Sequence, residues 1–422
     1  MSHRLLFFLI LFLSITLLEV YVIRGYRNLF KGLAEKIYVF LFLGCSSVTV
    51  LLILYLIIFG REGLGPEGSF QKTFLQSLVF GFIFTNFLPK LTGAIFLLID
   101  DVKRLVQFLS IKFFTSQTVS SNSIEHTITR SDFLLKAGTL AVGIHVGTLL
   151  YGMVKSAYDY RIHRVKLRLP GLPVEFQGLK IAQISDIHCG SFYNRRAVTR
   201  GVDMLMNENP DIVFFTGDMV NDRADEVKNY CNIFSKIKAP LGVFAILGNH
   251  DYGDYIQWKN QDEKKENLNT LIQMQKDMGW DVLLNENRVI KKGIAQVAIA
   301  GVENWGAKNW SQKHGNLSKA LIGTSTISCR LLLSHDPSHW DAQILDYEIP
   351  ISATFSGHTH GLQFGVDNQY VKWSPAKYFY PQWAGLYEKN GKFLYVNRGF
   401  GFIGFPGRVG ILPEITVFSL YS

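Results

Sequence analysis

The stretch Tyr38–Phe59 carries no charged residue. About 20 consecutive apolar residues are what an α-helix needs to cross the hydrocarbon core of a bilayer. A helix apolar on every side has no polar face to offer water, so this run commits the N-terminal part of the chain to a membrane. Leu5–Ile23 repeats the pattern with Glu19 as its one charge. No small-residue cleavage site follows it, so it reads as an anchor rather than a removed signal peptide. Phe74–Ile99, interrupted by Pro89 and Lys90, and Phe133–Val154, with Lys136 near its start and His145 inside, bring the expected spans to four. Glu19, Lys90 and His145 are read as structural, either reaching polar headgroups or facing a neighbouring helix. Val102–Phe114 mixes Lys103, Arg104 and Lys112 with apolar residues, the pattern of a separate helix lying in the membrane interface. Thr115–Ser123 is rich in Ser and Thr and reads as a joint.

Composition agrees with this partition. Of 422 residues, 48% are hydrophobic and 14% aromatic, and the excess lies before residue 155. The net charge of +9 is not gathered into a Lys/Arg block, which argues against a nucleic-acid arm and for an anionic membrane surface. Cys45, Cys189, Cys231 and Cys329 show no paired spacing and read as buried structural thiols. The expected plan is an all-α transmembrane region over 1–154, a linker over 155–165, and an α/β domain over 166–422.

Within that last region, Ile181–Ser185, Ile212–Thr216, Val243–Leu247, Val297–Ala300, Leu331–Ser334 and Thr354–Ser356 are short apolar strands. Val198, Val202, Leu205 and Met206 recur at helical spacing between the first two, and Val227, Cys231, Phe234 and Ile237 between the next two. Glu266–Met278 offers a further helix. The alternation predicts parallel strands with helices on the faces. Phe393–Asn397 and Ile415–Leu420 follow without helices between them and are expected in a second, mixed sheet.

Five strands end in polar clusters. They are Asp186-Ile187-His188, Gly217-Asp218, Gly248-Asn249-His250-Asp251, His335-Asp336 and Gly357-His358-Thr359-His360. Each alone has an ordinary explanation as a turn or a helix cap. Together they occupy the carboxyl ends of strands, where open α/β sheets build their sites. Asp186, His188, Asp218, Asn249, His335, His358 and His360 form a mixed oxygen and nitrogen ligand set that suits Mn, Fe or Zn. Seven ligands exceed the needs of one ion, so two divalent metal ions sharing a carboxylate are expected. A pair about 4 Å apart can clamp the attacking and leaving oxygens of an in-line displacement.

This order of motifs resembles the calcineurin-like metallophosphoesterases over essentially all of residues 166–422. The resemblance implies a two-sheet α/β sandwich with flanking helices and hydrolysis of a phosphoester. It further implies that Asp186, His188 and His360 hold one metal, that Asn249, His335 and His358 hold the second, and that Asp218 bridges. By the same match, His250 is the catalytic histidine and Asp251 its neighbouring acid. The family's Gly-Asp-x-x-Asp is altered, with Asn221 in the last position and Asp222 beside it. The membrane anchor, Asn397–Gly401 and Pro413-Glu414-Ile415 resemble the bacterial membrane-associated branch, some of whose members cleave the pyrophosphate of UDP-diacylglucosamine. The multi-span anchor here is longer than the single segment common there, so the substrate does not carry over.

The expected activity is in-line attack on a phosphodiester or pyrophosphate by a hydroxide bridging two metals, with a phospholipid or glycolipid headgroup as substrate. Arg398 and Arg408 are the expected substrate grips, through the planar guanidinium fork. Phe400–Phe405 is expected either in the core or as a lipid-facing lip. The alternatives are a phosphodiesterase for soluble nucleotides and a metal-binding membrane sensor without turnover. Arg24, Arg27, Lys31 and Lys36 after the first span place that loop in the cytoplasm. Four spans would then put the catalytic domain outside a bacterial inner membrane, although Lys155, Arg161, Arg164, Lys166 and Arg168 argue the other way.

Overall fold

The structure, a computed structural model, describes residues 3–27, 29–59, 70–114 and 130–422. It divides into two compact units, the second built on Gly152–Ser422. The described part of the first unit is helical, built from α1 (His3–Arg27), α2 (Leu33–Phe59), α3 (Phe70–Phe114) from Leu78 onward and α4 (Arg130–Val154) as far as Tyr151. Among the described residues, three helices are long and apolar enough to cross a membrane: Leu33–Ile58, Lys72–Phe113 and Asp132–Tyr158. The expected first span falls on α1, whose side chains are described only from Leu13 onward.

One expectation fails here. Val102–Phe114 is no separate interfacial helix but the last part of α3, which runs through Pro89 for 45 residues. At about 1.5 Å per residue such a helix is roughly 68 Å long, more than twice the hydrocarbon thickness of about 30 Å. Asp100, Lys103 and Arg104 lie within this continuous helix, with Arg104 Nε 2.7 Å from Asp100 at i,i+4 spacing. The expected joint at Thr115–Ser123 lies outside the described residues.

Among the described residues, the second unit holds fourteen strands. They are β1 (Arg161–Arg168), β2 (Lys180–Ile184), β3 (Ile212–Phe215), β4 (Val243–Ala245), β5 (Asp281–Val282), β6 (Glu286–Lys292) and β7 (Ala295–Gly301), followed by β8 (Cys329–Leu333), β9 (Ala353–Ser356), β10 (Val366–Asp367), β11 (Lys372–Trp373), β12 (Gly385–Lys389), β13 (Lys392–Val396) and β14 (Glu414–Tyr421). One six-stranded sheet has the order β1-β14-β2-β3-β4-β5 and the other β12-β13-β9-β8-β7-β6, while β10 and β11 form a small ribbon. As expected, β2, β3 and β4 are mutually parallel, and so are β7, β8 and β9.

Period-2 alternation sorts the side chains into layers. Ile181, Phe214, Phe244 and Phe418 meet Val297, Leu331 and Phe355 in a core between the sheets. Ala182, Ile184, Val213, Phe215 and Ala245 face the opposite way, onto a core shared with α5 (Arg195–Met206). Leu332, Leu394 and Val396 close a third core against Trp340 and Ile344. Each buried Phe or Leu contributes about 1.5–3 kcal/mol, so both faces of the first sheet add to the stability of this unit.

Three local expectations need correction. The stretch 155–165, expected as a linker, includes a 3-10 turn at Ser156–Tyr158 and the first half of β1. Strand β14 does not join the second sheet; it lies in the first, parallel to β1 and antiparallel to β2. The helix expected across Val227–Ile237 is broken into a 3-10 turn, Ala224–Val227, and one turn of α6, Cys231–Phe234. Glu226 explains the break. Its carboxylate accepts the backbone N–H groups of Asn221, Asp222 and Arg223, and so fixes the preceding loop.

Candidate metal centre

The five clusters leave β2, β3, β4, β8 and β9 at their carboxyl ends, and the sandwich brings them together. Two groups of ligand atoms form, each within 4.8 Å: Asp186, His188 and His360, and Asp218, His335 and His358. Between the groups, Asp218 Oδ2 lies 3.6 Å from His188 Nε2 and 3.2 Å from His335 Nε2. Asn249 Oδ1 stands 2.7 Å from His358 Nδ1 and 3.1 Å from His335 Nε2. All seven expected ligands therefore converge.

The backbone is bent to achieve this. Asp186, His188, Asp218, His358 and His360 have φ of 52°, 51°, 61°, 71° and 49°, in the left-handed region that side chains rarely occupy. Strain of this kind collects at functional sites, where the surrounding structure over-determines it. Asp186 N–H donates to Gly217 O (2.8 Å), Ile187 N–H to Asp218 O (2.8 Å), and Gly401 N–H to Asp186 O (2.9 Å). A Cβ on Gly357 would collide with the Asp186 carboxylate, and one on Gly248 with that of Asp218. Both glycines are thus required by close approach.

Each imidazole is locked so that one nitrogen faces inward. His188 Nδ1 bonds the Val220 carbonyl at 3.1 Å and His335 Nδ1 the Thr216 carbonyl at 2.7 Å, which leaves both Nε2 lone pairs directed at the cluster. His358 is turned the other way, with Nδ1 inward and Nε2 2.7 Å from the Tyr380 hydroxyl. His188 Nε2 and His360 Nε2 are 3.1 Å apart. Lone pairs of neutral rings repel at this separation unless a proton or a cation lies between them.

Electrostatics agree with a cation site. Burial opposes ionisation of Asp186 and Asp218, yet the neighbouring imidazoles overcome it and hold both carboxyls below their usual range. Burial likewise pushes His188 and His358 down toward the neutral form, whereas at His335 Asp218 outweighs burial and raises the imidazole to about 10, so that a metal there would displace its proton. Fully buried carboxylates call for positive charge, and the donor set of imidazole, carboxylate and amide oxygen fits two divalent ions.

The remaining expected residues divide. His250 borders the centre, its ring 5.0 Å from that of His188. Its Nδ1–H donates to the Asn221 carbonyl at 2.7 Å, and its backbone N–H to Asp218 Oδ1 at 2.9 Å. The altered last position of Gly-Asp-x-x-Asn is therefore harmless to this orientation, because the main chain of Asn221 makes the bond. Asp251 belongs to the scaffold: buried, it accepts backbone N–H groups from Asp218, Met219, Val220 and Gly248 and holds the two ligand loops together.

Arg398 and Arg408, expected as substrate grips, are closed on groups of the protein itself. Arg398 is 6% exposed and paired with Glu414 and Asp367. Arg408 is fully buried, and its guanidinium donates to the carbonyls of Arg398, Gly399, Gly401 and Ile411. Phe400, Phe402 and Phe405 are buried, so the apolar tip is core. Two tyrosines had no sequence signal. Tyr380 supports His358, and Tyr255 accepts from Asn249 Nδ2 (2.8 Å) while its ring lies 4.5 Å from that of His250.

Residues 179–362 match the calcineurin-like phosphoesterase family, and residues 3–157 match a family described as probable calcineurin-like phosphoesterase, transmembrane domain. A Danio rerio protein named "Transmembrane protein with metallophosphoesterase domain" is 28% identical over 323 residues, covering 75% of this chain and 67% of that one. The uncharacterized metallophosphoesterase YkuE of Bacillus subtilis is also 28% identical, covering 68% of this chain and 94% of its own. Among solved structures, TT1561 of Thermus thermophilus covers 55% of this chain and 90% of its own, at 10% identity and a TM-score of 0.33. With both halves matched and the candidate ligand set assembled, the chain joins a transmembrane phosphoesterase region to a calcineurin-like phosphoesterase domain and is a membrane-associated, metal-dependent phosphoester hydrolase.

Proposed function

We propose that this chain hydrolyses a phosphodiester or pyrophosphate by in-line displacement at a dinuclear centre, and that its natural substrate is a phospholipid or glycolipid headgroup. The observation that carries the reading is Asp218, whose Oδ2 stands between His188 and His335, one from each ligand group. Asp186, His188 and His360 would hold one ion, and Asn249, His335 and His358 the other, with Asp218 shared. The ions would be Mn, Fe or Zn, and when bound they supply an acidified water and neutralise charge on the phosphoryl oxygens. His250, fixed through Nδ1, presents Nε2 beside the centre, where it can donate a proton to the leaving oxygen. The lipid reading rests on the apolar helices carried by the same chain.

An extracytoplasmic catalytic domain follows from the charges after the first span. Of the opposing basic residues, Arg161, Arg164, Lys166 and Arg168 carry less weight because they belong to strand β1, with Arg161 paired to Asp159 and Arg164 to Glu208. The test uses the full-length chain in detergent micelles with Mn. Bis-p-nitrophenyl phosphate should turn over faster than the monoester, and hydrolysis of a labelled glycolipid pyrophosphate should exceed that of soluble nucleotides. Faster monoester turnover would defeat the diester reading, and preference for soluble nucleotides would defeat the lipid reading.

A further inference from the structure

Lys308 lies in the loop between β7 and β8, and its environment is unusual for a lysine. Its Nζ sits 3.7 Å from the ring centroid of Tyr380, 5.4 Å from that of Trp310 and 5.7 Å from that of Phe379. Among the described residues no carboxylate forms an ion pair with it. Asp336, the acid whose field reaches it, is occupied by the N–H and hydroxyl of Ser338, at 2.8 and 2.7 Å. Aromatic faces hold an ammonium through their quadrupoles without cancelling its charge, so the positive field stays available to an anion. Tyr380 connects this cation to the metal centre, since its hydroxyl is 2.7 Å from Nε2 of His358, whose Nδ1 faces the ligand cluster. Trp310 is 80% exposed and Phe379 60%, so the collar opens to solvent.

We propose that Lys308 and its aromatic collar form an anion subsite beside the Asp218, His335 and His358 group, taking a second phosphate attached to the scissile one. This deepens the phosphoester-hydrolase reading and rests on it. A pyrophosphate or diphosphate ester would place one phosphoryl group at the metals and the next against Lys308, while the exposed rings cover the group beyond. A lone diester would leave the lysine unused.

The experiment compares two non-hydrolysable probes, methylphosphonate with one anionic group and methylenediphosphonate with two, as inhibitors of bis-p-nitrophenyl phosphate hydrolysis by the full-length chain with Mn in fixed excess. The ratio of the two inhibition constants is the readout, because it cancels any general loss of activity. Lys308→Met should shrink the preference for the diphosphonate by about tenfold, and Lys308→Arg should keep most of it. An unchanged ratio in Lys308→Met, or an equal weakening of both probes, would overturn the subsite. Should the wild type hydrolyse no diester with any metal, the enzyme reading itself fails. Calorimetric titration of the same two probes then still reports on the subsite alone.

Discussion

Two regions of this molecule bury charge, and they do it in opposite ways. In the helical unit, Lys90 Nζ meets both carboxylate oxygens of Glu19 at 2.8 and 2.9 Å and the Ser46 hydroxyl at 2.8 Å. Ser46 also donates to Glu19 at 2.7 Å, so every charged atom has its partner. In the sandwich, the cluster at the strand ends gathers imidazole nitrogens and carboxylate oxygens around common points, with His188 Nε2 and His360 Nε2 3.1 Å apart. A closed pair needs nothing further and reads as structure, as expected of Glu19 and Lys90. An open set of inward-facing acceptors requires a cation from outside. The Arg398, Glu414 and Asp367 network in the same sandwich is of the closed kind.

That contrast can be broken at the open set first. Asp218→Asn removes the charge shared by the two ligand groups and should lower kcat/KM on bis-p-nitrophenyl phosphate by roughly a thousandfold or more, with bound metal falling below two per chain. Turnover and metal content equal to wild type would mean that the centre does not depend on Asp218. Chelation should likewise abolish activity, with Mn restoring it.

The closed network should respond in stability and not in chemistry. Burial opposes ionisation of Glu414, but Arg398 outweighs it and holds the carboxyl down at about 2 against an ordinary 4.5. A depressed acid stabilises the fold above its unfolded pKa and loses that contribution as pH falls through its folded one. About 3 kcal/mol should therefore disappear between pH 4.5 and 2, and Glu414→Gln should flatten that limb of thermal unfolding against pH. In the helical unit, Lys90→Met leaves Glu19 without its partner and should cost about 2 kcal/mol, whereas the double variant Glu19→Gln/Lys90→Met should recover most of it. Additive losses in a double-mutant cycle would mean that the pair is not coupled. The smallest effect is expected of Tyr380→Phe. Loss of the bond to His358 should weaken metal affinity about tenfold without unfolding the domain, as read by metal titration.

The ligand set was legible because its signals are local. Apolar strands ending in Gly, Asp and His announce both the carboxyl edge of a sheet and the donor chemistry on it, and all seven side chains converge. The hydrogen-bond partners of Arg398, Arg408 and Asp251 were not legible for the complementary reason. Donor and acceptor types can be read from a sequence, but whether they are already satisfied by distant main-chain groups cannot. Tyr380 and Tyr255 gave no signal because their roles depend on hydroxyls meeting His358 and Asn249, contacts that no local residue pattern marks.

What the amino-acid order alone determined was the apolar helices before residue 155, the alternation of strands behind them and the candidate metal donors, since each follows from periodicity or from residue chemistry over a few positions. Tertiary structure alone decided that β14 returns to the first sheet, that α3 continues past its expected end, that the Phe400–Phe405 tip is buried, and which charges close on themselves. Those outcomes depend on which surfaces and hydrogen-bonding groups meet when the whole chain packs, and no local pattern carries that information.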